Sequence, residues 1–183
     1  MTLTSPQRKQ GIPPVAHNYL EQLVAEWYEF QGYFVRRNVL VDPRPNGGYE
    51  CELDVVAFHP ETKHVVHVEA SHDADSWERR QVRFARKFTA GRKHIPKIFG
   101  GLDVNVSVEQ IALLAFASTQ NYSHLEQGRI VLIPEFLSKI FAKLKGRRLN
   151  SSAVPEQFPL IRTLQLVAEN FNLPEALPAE VLE

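Results

Sequence analysis

Two short segments decide how this chain is read: Glu52-Leu53-Asp54-Val55-Val56-Ala57-Phe58 and Val65-Val66-His67-Val68-Glu69-Ala70-Ser71. Both are rich in β-branched residues, and the residues between them, from His59 to Thr62, are turn-like. The pattern predicts two strands, Tyr49 to Phe58 and Lys63 to Ser71, joined as an antiparallel hairpin. With the turn centred between Glu61 and Thr62, facing residues carry numbers that add to 123. Asp54 then faces Glu69, and Glu52 faces Ser71. Directly opposed residues place their Cβ atoms about 4.5–5.5 Å apart. Strand alternation sets Glu50, Glu52 and Asp54 on the same face as His67, Glu69 and Ser71. Leu53, Val55 and Ala57, with Val66, Val68 and Ala70, form the opposite, core face.

Two carboxylates this close repel each other, and one has its pKa raised unless a cation lies nearby. Mg²⁺ commonly takes only one or two carboxylates and keeps water and phosphate oxygens as its other ligands. Asp54 and Glu69 are therefore the candidate ligands of a divalent cation, Mg²⁺ or Mn²⁺. A one-residue slip of the register would separate them, so the expectation depends on the turn.

Working outward, Ala16, Leu20, Leu23, Val24, Trp27 and Gln31 recur at helical spacing, and Gly32 closes that helix. Glu21 lies at the edge of its apolar stripe; Glu26 and Glu29 are expected in solvent. Tyr33 to Val41 reads as a first strand, followed by a loop through Gly48. After the hairpin, Trp77 to Thr89 reads as an amphipathic helix ended by Gly91. Ile111 to Ala117 is a buried strand, and Ile130 to Ile133 a short one. Pro134 opens a helix to about Lys145, and Leu160 to Phe171 forms the last. The fold class is α/β: a central mixed sheet in the order helix-strand-strand-strand-helix-strand, plus C-terminal helices. The chain divides into an N-terminal arm (1–14), a core domain (15–150), and a C-terminal helix with an acidic tail (151–183).

Composition narrows the function classes. The chain has 183 residues, enough for one sizeable core. Its 44% hydrophobic and 23% charged residues are ordinary for a globular protein. No apolar run is long enough to span a membrane. The single cysteine, Cys51, excludes an internal disulfide and a cysteine zinc cluster. A cytoplasmic location without a membrane is expected. The 21 basic and 21 acidic residues cancel, but their distribution is uneven. Between Trp77 and Lys97 stand eight basic residues against Glu78 alone, a footprint suited to a polyanion.

The hairpin residues, set in this order of elements, resemble the PD-(D/E)XK nuclease superfamily, which includes restriction endonucleases and resolvases. The similarity extends to Mrr-like and Holliday-junction-resolvase-like members, where a glutamate-bearing helix runs into a Gly-aromatic pair. Here Glu21 precedes Gly32-Tyr33 by eleven residues. The resemblance covers about residues 15 to 117. It implies a restriction-endonuclease-like core and metal-dependent hydrolysis of DNA, with Asp54 and Glu69 on the metal, Glu21 assisting, and a possible homodimer.

One departure matters. Ser71 stands where the family carries its lysine, and serine supplies no positive charge. Lys63 lies at the hairpin turn, roughly 20 Å along the strand from Glu69, and is excluded on reach. The following helix offers substitutes. Gln81, a polar residue within the apolar stripe, is expected to share with Ser71 the task of holding water. Arg79, Arg80, Arg83 and Lys87 are expected to hold phosphates. The alternative is a catalytically inactive nuclease-like module that binds nucleic acid or a protein partner.

Overall fold

The structure is a computed structural model, and it describes residues 18–99, 107–118 and 122–171. The N-terminal arm and the acidic tail lie outside these residues. Among the described residues the chain forms a mixed α/β fold. A six-stranded sheet has the order β1-β2-β3-β4-β6-β5. Strands β1 (Phe34–Pro43), β2 (Tyr49–Phe58) and β3 (Val65–Ser71) pair antiparallel in sequence. Helix α2 (Trp77–Ile98) carries the chain across to β4 (Val108–Leu114), which runs parallel to β3. Strand β6 (Gly128–Leu132) is parallel to β4, and the two-residue β5 (His124–Leu125), which the sequence pattern does not announce, pairs antiparallel with β6.

Helices α1 (Tyr19–Phe30), α3 (Ile133–Leu144) and α4 (Pro159–Asn170) share one apolar cluster with Val55, Ala57, Val66 and Val68. Helix α2 covers the other face. Phe84 and Phe88 pack there with Ala112, Leu114, Leu125 and Ile130, and Ala90 and Ile95 pack with Val56, Phe58 and Val65. Glu26, expected in solvent, is buried. Its carboxylate accepts the backbone N–H groups of Leu160 (2.7 Å) and Ile161 (3.2 Å) and so caps the start of α4.

The hairpin register is the expected one. Val55 pairs with Val68, Val56 with His67, Ala57 with Val66 and Phe58 with Val65, and the His59 N–H closes the turn onto the His64 carbonyl at 2.8 Å. The expected face pattern fails beyond Asp54. Leu53 packs with Cys51, Val56 and Phe58 under α2, not with Val55 and Ala57. The cause lies on β1, where Asn38, the residue between the partners of Leu53 and Val55, has φ +52°. That left-handed residue breaks the β1–β2 pairing opposite Asp54, and asparagine tolerates the conformation better than most side chains.

Helix α2 also runs seven residues past Gly91. The glycine is not a stop. A Cβ placed on Gly91 would lie 2.4 Å from Nδ1 of His67, so this position needs hydrogen for the helix to close onto the sheet. In a sequence, a glycine that ends a helix and one that permits close approach look the same.

Candidate active site

Asp54 and Glu69 meet at the carboxyl end of β3, where ligands commonly bind in open α/β sheets. Backbone pairing between β2 and β3 stops at Val55 and Val68, and the two carboxylates take over from it. The Ala70 N–H donates to Asp54 Oδ2 at 3.0 Å, and the Asp54 N–H donates to Glu69 Oε1 at 3.3 Å. Both acids are thereby locked by the backbone of the other strand. One oxygen of each remains, Asp54 Oδ1 and Glu69 Oε2, and both contact the ammonium nitrogen of Lys87 from α2.

Lys87 is expected from the sequence among the phosphate-holding side chains. The structure turns it inward, onto the pair of carboxylates. The pair thus receives a positive charge from α2, which Ser71 on the strand does not supply.

The electrostatics follow from burial. Asp54 is pushed up to about 7, first by desolvation and then by the charge of Glu69, against the pull of Lys87. Burial also raises Glu69. For Lys87, burial opposes the charge, but Glu69 and Asp54 outweigh it, and its pKa is raised. Lys87 stays an ammonium, and the two raised acids compete for its single charge. The site is poised to attract a further cation or to share a proton.

Behind Glu69 lies a buried chain of hydrogen bonds that sequence reasoning did not anticipate. His67 Nε2 lies 2.6 Å from Glu69 Oε1. The Gln110 amide donates to the Phe88 carbonyl (2.8 Å) and sits 3.2 Å from His67 Nδ1, while its oxygen accepts from Arg92 (2.9 Å). Those partners orient the amide, so His67 carries its proton on Nε2 and donates it to Glu69. Burial holds His67 neutral, with its pKa pushed down to about 3. The signal in the sequence was His67 on the same face as Glu69, two residues away.

The other expected residues divide. Glu21 lines the same open cavity of about 370 Å³ as Asp54, Glu69, Ser71, Arg83 and Lys87. Its carboxylate accepts from Asn18 (2.6 Å) and Asn38 (3.3 Å), and its pKa is raised by burial and by Asp54. Glu52 is exposed and accepts from Asn38 at 2.7 Å.

Ser71 is buried at the cavity wall. Its hydroxyl donates to Asp73 and accepts from Arg83 at 3.1 Å. Arg83 also holds Asp73 at 2.5 Å and Asp75 at 3.1 Å. Gln81 is not in the site: its side-chain oxygen accepts the Glu126 N–H at 3.2 Å, tying α2 to the β5–β6 turn. Arg80 is not a surface phosphate ligand either. It is 3% exposed and donates to the carbonyls of Asp73 (2.7 Å) and Phe116 (2.6 Å). Arg79 is exposed, with Asp75 3.7 Å away.

The donor set suits a hard divalent cation in a limited sense. Two carboxylate oxygens already converge on one cationic nitrogen, which is the number Mg²⁺ commonly takes from protein. Among the described residues, no group of three or more His, Cys, Asp or Glu is arranged to hold a metal ion. No described helix is long and apolar enough to cross a membrane.

No protein family and no curated protein matches this sequence. Among solved structures, the chain is similar to a protein of unknown function, AF1548, at 12% identity and a TM-score of 0.41, over 82% of this chain and 95% of that one.

Proposed function

We propose that this protein is a metal-dependent nuclease that hydrolyses DNA phosphodiester bonds. The observation that carries the reading is the convergence of Asp54, Glu69 and Lys87 on one point at the carboxyl end of β3, beside Glu21.

Asp54 Oδ1 and Glu69 Oε2 would hold Mg²⁺ or Mn²⁺, which polarises a phosphoryl oxygen and lowers the pKa of a bound water. The hydrogen bonds from the Ala70 and Asp54 N–H groups and from His67 fix the other two carboxylate oxygens, so the ligating pair needs no rearrangement of strand backbone. Lys87, on a helix and not on the strand, would yield those two oxygens to the metal and keep its ammonium beside it, where negative charge would grow as water attacks phosphorus. Such preorganised charge is worth roughly 10²–10³ in rate. Arg83, fixed by Asp73 and Asp75, borders the cavity and offers a guanidinium edge to a phosphate. Ser71 holds Arg83 and Asp73 in place of the water-holding task expected of it.

Incubation of plasmid and single-stranded DNA with Mg²⁺, Mn²⁺ or EDTA, beside Asp54→Ala, tests the reading. Cutting that needs metal and is lost in the variant supports it; folded protein that cuts neither substrate in any metal overturns it. A second reading, a nuclease-like module that binds nucleic acid without cutting, is favoured by the ion pairs that Lys87 already makes with both acids. Binding without cleavage is its signature. A homodimer that cuts both strands belongs to the first reading and is checked by the oligomeric state on DNA.

A further inference from the structure

Most large apolar side chains of this fold are buried, yet two exposed aromatic residues are tied to the lining of the acidic cavity. Tyr19, in the first turn of α1, is 65% exposed, and its ring lies 4.9 Å from that of His72, a cavity residue. Phe116, also 65% exposed, follows the end of β4. Its position is fixed from two directions. The preceding Ala115 N–H donates to the Ser71 carbonyl at 3.0 Å, and Arg80 bridges the carbonyls of Phe116 and Asp73. Arg83 lines the cavity itself, and Arg79, exposed on α2, lies 3.7 Å from Asp75.

Exposed rings beside a cavity that an arginine also lines suit a partner that offers both a flat apolar face and a negative charge. Flat rings offer a face to any unstacked base, whatever its identity, and the arginines suit the phosphates between. Paired bases are already stacked within a duplex and offer no free face to such rings.

We propose that the rim of the cavity binds single-stranded nucleic acid. Bases stack on Tyr19 and Phe116, and the phosphate between them is drawn over Asp54, Glu69 and Lys87. This rests on the nuclease reading and names its substrate class: unpaired strands, flaps or melted ends.

Binding is measured by anisotropy in EDTA, with a labelled single-stranded DNA oligonucleotide and its duplex. Tyr19→Ala and Phe116→Ala are compared with Phe34→Ala, an exposed aromatic at the opposite end of the sheet. The expected result is tighter binding of the single strand than of the duplex, weakened roughly tenfold or more by each rim variant and unchanged by Phe34→Ala. Circular dichroism checks that each variant is folded.

Equal or tighter binding of duplex, or rim variants that bind single strands like wild type, overturns the inference. If metal-dependent cutting of plasmid survives in that case, the nuclease reading stands alone. Folded wild type that binds neither form and cuts neither overturns both.

Discussion

At the scale of single residues, the account turns on where one positive charge comes from. The sequence offers Ser71 at the strand position and Gln81 in an apolar stripe, and neither supplies it. Lys87 does, because its helix packs close enough behind β3 for the side chain to reach both acids. That reach depends on how α2 sits on the sheet, which no spacing along the chain encodes.

The burial of Asp54 has its own consequence. Its pKa is near 7 in the fold and near 4 in the unfolded chain. Between those values the native state holds the extra proton, so stability from this group is full below about 4 and is lost as pH rises through 7. Asp54→Asn removes that loss. The melting temperature of the variant relative to wild type is therefore expected to climb between pH 4 and pH 8. A difference that falls over this range contradicts the assignment.

At the scale of elements, the β2–β3 hairpin was legible because a short turn between two alternating strands fixes one register, and that register sets Asp54 against Glu69. The break at Asn38 was not legible, since an asparagine in a strand gives no sign that its φ is positive. Gly91 was misread for a related reason. It ends nothing; it makes room for His67 and thereby for the hydrogen bond that holds Glu69. Gly91→Ala tests this directly. Alanine favours a helix by about 1 kcal/mol over glycine. Here its methyl group collides with the imidazole, and crowding of this kind costs about 1–3 kcal/mol. Urea unfolding is expected to show a net loss of stability, with weaker Mn²⁺ binding. A variant more stable than wild type places no constraint on His67 and contradicts the close approach.

At the scale of the whole molecule, the C-terminal helix joins the core through a buried acid. Glu26 caps α4, while Val154, Phe158 and Ile161 enter the apolar cluster beneath α1 and α3. Glu26 was expected in solvent because α4, its partner, lies more than 130 residues away in sequence. Glu26→Ala removes the cap and is expected to cost about 1–2 kcal/mol, with faster hydrogen exchange concentrated in α4. Exchange that quickens equally throughout contradicts a local cap.

The mixed sheet and the order of its main elements were readable from periodicity. The route by which α2 brings a cation to the carboxylates was not, because it is a property of packing. Lys87, with Asp54 and Glu69, is the proposed reacting centre. Its most direct test is the rate of Mg²⁺-dependent DNA cleavage by Lys87→Ala beside Gln81→Ala. A loss of about a hundredfold or more is expected for Lys87→Ala, and near wild-type cleavage for Gln81→Ala. Full activity without Lys87, or loss on removing Gln81 alone, contradicts it.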